Sequence, residues 1–111
     1  MASTYNIAID QGTDFTITIV ANDSTGTARN LTGYTGNAQL RRSYASTTNV
    51  EFTVNISTPL IGEITLALAN AKTANLKYGR YVYDLELTKT SDSTVERILE
   101  GIVSVYPQVT R

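Results

Sequence analysis

The sequence contains no histidine, no cysteine and no tryptophan. Without histidine it lacks the commonest general base and the commonest metal ligand. Without cysteine it can form neither a disulfide nor a thiolate metal site. Charge is scarce as well: 17% of the residues are charged and they sum to -1. A protein held on nucleic acid by phosphate contacts is expected to be basic, so this balance argues against such a partner. An acidic disordered tail is also excluded, because 41% of the residues are hydrophobic. No stretch approaches the ~20 apolar residues of a membrane-spanning helix, so no membrane partner is expected. Residues 1–6 lack the positive cluster and apolar run of a secretory signal, so the chain is expected to be made and folded in a cytoplasm. Asn-x-Ser/Thr triplets at Asn22, Asn30 and Asn55 read as chance in a chain rich in Thr.

What is present is a period-two pattern. Tyr81, Tyr83, Leu85 and Leu87 alternate with Val82, Asp84, Glu86 and Thr88. Successive side chains of a strand point to opposite faces, so this is the signature of a half-buried antiparallel strand. Phe15, Ile17 and Ile19 share one parity against Thr16, Thr18 and Val20, and Val50, Phe52, Val54 and Ile56 share one against polar neighbours. Ile64, Leu66 and Leu68 form the return of a hairpin that turns at Pro59–Gly62. Earlier, Tyr5, Ile7 and Ile9 give a short first strand, and Ala38 and Leu40 are expected to face inward. Arg42 falls on the Leu40 parity, so that strand is expected to leave the core there or to carry a bulge. Leu31 and Tyr34 read as plugs around Gly33. The one plausible helix, 69–76, is too short to stand without packing, and Leu76 is its anchor to the core. The last strand, 94–106, is apolar on both parities, so it is expected either to bend between two sheets, with Gly101 the natural place for the bend, or to cover a neighbour at each end.

About seven or eight short strands with one helical turn favour a β-sandwich over a parallel sheet, which needs longer helical crossovers. At 111 residues the whole chain, 1–111, reads as a single domain, which buries roughly 65% of its unfolded surface.

Candidate chemistry is thin. Asp84 and Glu86, two apart on one strand face, stand roughly 7 Å from each other, near the separation of an inverting glycosidase pair. A solvated strand face balanced by Arg80, Lys89 or Arg97 is the simpler account. Ser has no His partner and no Gly-x-Ser-x-Gly elbow. Asp10, Asp14 and Asp23 lack the spacing of an EF-hand loop, so neither a metal nor any other cofactor is expected. Arg41-Arg42 is too short for a phosphate-binding patch but suits a protein interface, where Arg is enriched. Tyrosine is the abundant aromatic, with seven residues against two Phe. Tyr81 and Tyr83 are expected in the core; Tyr44 and Tyr106, near strand or loop ends, suit core edge and interface anchor equally.

Several segments together carry a likeness. They are Tyr5–Gly12 running into Phe15, the Leu31–Thr35 crossing, the Gly62–Leu66 return, Gly79–Leu87, and Arg97–Gly101 continuing to Pro107. In these the chain resembles a family of small structural proteins of tailed bacteriophages. More distantly, through the crossing and the Gly-x-Tyr strand, it is similar to the N-terminal β-sandwich domain of siphophage upper baseplate proteins. The resemblance implies an immunoglobulin-like antiparallel sandwich and a non-enzymatic virion component, with no catalytic residue, whose partners are other phage structural proteins in a symmetric or homo-oligomeric assembly. A tail or baseplate adaptor or attachment subunit is the leading expectation. The alternatives are a capsid decoration or neck protein and a carbohydrate-binding module of a tail. Residues 1–6 and 107–111 would be docking arms, and the expected interface residues are Tyr5, Arg41, Arg42, Tyr44, Tyr106 and Arg111.

Overall fold

A computed structural model describes residues 3–22, 27–47 and 49–109. Along the described chain the strands are β1 (Ser3–Thr4), β2 (Ile7–Asp10), β3 (Phe15–Val20), β4 (Tyr34–Arg41), β5 (Val50–Glu51), β6 (Thr53–Thr58), β7 (Glu63–Leu68), β8 (Gly79–Lys89) and β9 (Val95–Tyr106). A 3₁₀ turn, Pro59–Ile61, joins β6 to β7, and a single helical turn, α1 (Asn70–Thr73), follows β7. The larger sheet has the order β1-β9-β8-β4-β5, with β2 also on β9, and the smaller has the order β3-β7-β6. Strands distant in sequence lie side by side, β3 beside β7 and β4 beside β8. Tyr81, near the start of β8, donates its hydroxyl to the Lys77 carbonyl at 2.8 Å. That bond, at the corner between the small sheet and the next strand, is the tyrosine corner of immunoglobulin-like sandwiches. The fold is therefore the expected all-β, immunoglobulin-like sandwich.

Period-two patterning places the core between the sheets. Leu85, Leu87, Ile64, Leu66 and Val103 are fully buried, and Tyr81, Tyr83, Leu31 and Leu76 join them. Two differences from the sequence expectations concern where strands begin and end. The uniform alternation over 50–57 predicts one strand, yet the chain leaves the larger sheet after Glu51 and enters the smaller at Thr53. Phe52 is the crossing point. Its N–H donates to the Ala38 carbonyl at 3.0 Å, and its ring lies 6.2 Å from Phe15 and 6.1 Å from Tyr83. Extended backbone continues through the crossing, so alternation survives while the partner sheet changes. The strand before it ends at Arg41, which leaves Arg42 outside the ladder as its parity required.

The first strand is the second difference. It is broken, and both pieces run parallel to β9, with Ser3 opposite Leu99 and Ile7 opposite Val103. Between them the Tyr5 N–H donates to the Glu100 carbonyl at 2.9 Å, and the Asn6 side chain accepts from the Ile102 N–H at 3.1 Å. Residues 3–6, expected as part of a docking arm, are thus a stitched sheet edge; Met1 and Ala2 lie outside the described residues. At the other terminus the Gln108 N–H donates to the Gln11 side chain at 3.1 Å, Val109 is exposed, and Thr110 and Arg111 lie outside the described residues.

β9 stays in one sheet, so the expected bend at Gly101 is absent. A bulge accounts for Ile98: Leu85 pairs with Leu99 but Glu86 pairs with Arg97, leaving Ile98 as the additional residue, packed against the core, while Ile102 is exposed on the outer face. Gly101 instead allows a close approach. A Cβ there would stand 2.2 Å from the Tyr5 carbonyl oxygen. Tyr83, opposite Gly101 in the ladder, passes over this gap and donates its hydroxyl to the same carbonyl. Burial, with Tyr5 nearby, pushes the Tyr83 phenol above its ordinary value.

Gly101→Ala is expected to cost about 1–3 kcal/mol, the range for forcing extra volume into a packed site. Residues 3–10 should become accessible to limited proteolysis. An unchanged denaturation midpoint would contradict the close approach.

Candidate interface

One end of the larger sheet collects the tyrosines. β2 and β4 end there, β8 begins there and β9 ends there. Tyr44 follows β4 and is 69% exposed, and Tyr106 closes β9 and is 54% exposed. Tyr78 is 65% exposed. Because Gly79 pairs with Val105, Tyr78 and Tyr106 flank the same end of that ladder. Large aromatic rings with a polar tip suit a protein contact, since they supply area at low conformational cost.

The arginines at this end do different work. The Arg42 guanidinium lies 4.6 Å from the Tyr81 ring centroid and donates to the carbonyls of Arg80 at 3.1 Å and Tyr78 at 3.2 Å. Gly79 (φ 129°) leaves room for it, because a Cβ there would meet Arg42 Nη1 at 2.5 Å. Arg41 donates to the Ser46 carbonyl at 2.6 Å and to the Gln39 side chain at 3.0 Å. Both arginines therefore brace the loops that present Tyr44 and Tyr78. Gln11 ties the remaining pieces: its N–H donates to the Tyr106 carbonyl at 3.0 Å and its side-chain amide to the Leu76 carbonyl at 2.8 Å.

Of the residues expected at an interface, Arg41, Arg42, Tyr44 and Tyr106 come together at this end. Tyr5 sits apart, on the sheet edge beside β9, and Arg111 lies outside the described residues. Tyr78 belongs to the group and was missed. Its sequence signal is the glycine after it, which releases the chain from the strand alternation one residue before β8.

Beside Tyr44, on the outer face of the larger sheet, is a depression of about 280 Å³ lined in part by Asn37, Gln39, Arg41, Asp84 and Glu86. The Asp84 carboxylate is 3.9 Å from Arg97, and Glu86 stands opposite Arg97 in the ladder. Asp84 is thus paired with a cation on a solvated face, and Glu86 lies on the same face. Asp14 accepts from the Asn70 N–H at 2.8 Å, capping α1. Asp23 lies outside the described residues. No group of three or more metal-ligating carboxylates occurs among the described residues, and no helix there is long and apolar enough to cross a membrane.

The opposite end is closed by charge. Arg29 donates to both Glu96 oxygens, at 2.7 and 3.0 Å, and its guanidinium lies 5.2 Å from the Tyr34 ring centroid. The hydrogen bond from Arg29 holds the Glu96 carboxyl below its usual range.

No protein-family model matches the chain, and no curated protein matches it. Among solved structures it is similar to the NK cell receptor NKp44, described as a triggering partner in natural cytotoxicity. The two share 14% identity over 96% of this chain and 99% of that one, with a TM-score of 0.47.

Because its folded-state pKa is lowered, Glu96 contributes stability that is present above the unfolded value of about 4.3 and is lost as pH falls through the folded value. Glu96→Gln should therefore flatten the acid limb of a melting-temperature profile while changing little on the alkaline side. An acid limb as steep as in the parent would contradict this pairing.

Proposed function

We propose that this protein is a non-enzymatic structural subunit of a tailed-phage particle, an adaptor or attachment subunit of the tail or baseplate that works through protein contacts. The family resemblance of the sequence motivates the particle. The observation that supports a contact role is the tyrosine end: Tyr44 and Tyr78 on loops and Tyr106 at the end of β9 are exposed at one end of the sheet and braced by Arg41, Arg42 and Gln11. A braced aromatic cluster loses little conformational freedom on docking, which favours affinity per unit of buried area. A neck or capsid-decoration position would use the same surface and differs only in location.

A second reading has one observation in its favour. The depression beside Tyr44 offers amide, carboxylate and guanidinium groups next to an exposed ring, a mix that suits a saccharide with its polar edges and apolar faces.

Purified particles should contain the protein, and the Tyr44→Ser, Tyr106→Ser double variant should fold normally yet be incorporated at least about tenfold less, the loss expected for hot-spot tyrosines. Equal incorporation, or absence of the parent protein from particles, would contradict the assembly role. Glycan-array binding that disappears with Tyr44→Ser alone would instead support the saccharide reading.

A further inference from the structure

Sheet edges carry unpaired backbone groups, and most edges of this molecule are guarded. β5 has two residues, and the Lys72 ammonium covers its Glu51 carbonyl at 3.2 Å. β6 carries a register shift between Asn55 and Thr58, and a bulged edge resists pairing. The β1–β2 edge is interrupted at Tyr5 and Asn6 and ends on the charge of Asp10. β3 has none of these devices. Phe15-Thr16-Ile17-Thr18-Ile19-Val20 is regular over its six residues, without charge, proline or glycine, and among the described residues it pairs with β7 alone.

The geometry of this edge fits a particular occupant. Ala21 donates to the Gly62 carbonyl at 2.9 Å, in line with the register that sets Ile19 opposite Ile64. In an antiparallel ladder the backbone groups of successive residues point to alternate sides. Hence Phe15, Ile17 and Ile19 address β7, while Thr16, Thr18 and Val20 aim their N–H and C=O groups at open solvent. The side chains of Phe15, Ile17 and Ile19 pack against the core but are only half-buried. The Thr residues face outward and are exposed.

We infer that β3 pairs antiparallel with β3 of a second copy of this chain about a two-fold axis at Thr18, fusing two three-stranded sheets into one. This register sets Thr18 opposite Thr18 and Thr16 opposite Val20, using every outward-aimed backbone group for roughly six hydrogen bonds at two per close pair. Ile17 then stands opposite Ile19, so the half-buried apolar side chains cover one another, and both the Thr-Thr and β-branched pairs are favourable across strands. Asp14 faces Asn22 rather than a second carboxylate, so the axis brings no like charges together. An isologous contact of this kind closes at two copies. The pairing rests on the chemistry of the edge; only its use in a particle rests on the assembly reading.

Sedimentation velocity across a wide range of concentration, together with hydrogen exchange on the same samples, tests it. The parent protein should dimerise reversibly, with the Thr16, Thr18 and Val20 amides slowing as concentration rises. Thr18→Lys places two ammonium groups across the axis and should raise the dissociation constant at least about tenfold. Thr53→Lys, on the guarded β6 edge, should leave it unchanged. A parent that stays monomeric, a dimer that survives Thr18→Lys, or a dimer broken by Thr53→Lys would overturn the proposal. A monomeric protein that still enters particles overturns the paired edge alone, whereas a Thr18-dependent dimer absent from particles overturns the assembly role alone.

Discussion

The hydroxyl of Tyr83 reaching the carbonyl of Tyr5 is the contact on which the two irregular parts of this fold depend. Tyr83 sits in the middle of β8, and its ring passes across β9 where Gly101 leaves a gap. At the far side it fixes the break between β1 and β2. On its other flank it packs edge-on against Phe52, where the chain changes sheets. One buried aromatic therefore joins the start of the chain to the crossover in its middle. Without a disulfide available, the packing of this side chain and one hydrogen bond hold these pieces together. Its hydroxyl has to be satisfied, because a buried polar group without a partner costs about 1–3 kcal/mol.

Much of this was legible in the residues. Alternation located the inward faces of β3, β7 and β8, and Leu31 and Leu76 were legible as a plug at Gly33 and the anchor of the short helix. It also signalled that Arg42 leaves the strand. Partner identity was less accessible. The pattern over 50–57 is the same whether the strand keeps one sheet or exchanges it at Phe52, since side-chain parity is local and pairing is not. Likewise the parallel docking of β1 and β2 on β9 leaves no mark in a four-residue alternation. Gly101 was recognisable as special, but a bend and a close backbone approach both ask for a missing Cβ. Only the neighbouring strand distinguishes them.

The same limit applies to the tyrosines. Tyr81 and Tyr83 were readable as core from their place in a long alternating run. Tyr44 and Tyr106 were ambiguous because they lie at element ends, and Tyr78 was hidden by its nearness to β8. The arginines show a further distinction. Composition marks Arg as an interface residue, yet Arg41 and Arg42 spend their donors on Ser46, Gln39, Arg80 and Tyr78 of their own chain. They hold the segments that carry Tyr44 and Tyr78 in position. The tyrosine end belongs to the larger sheet and the β3 edge to the smaller.

Native-state hydrogen exchange on Tyr83→Phe tests the place of that contact in the fold most directly. The substitution keeps the ring against Phe52 and removes only the hydroxyl. The amides of Tyr5 and of Ile7–Asp10 should lose protection selectively, while Leu85 and Leu87 in β8 stay as protected as in the parent. First-strand amides that exchange at the parental rate would contradict the account.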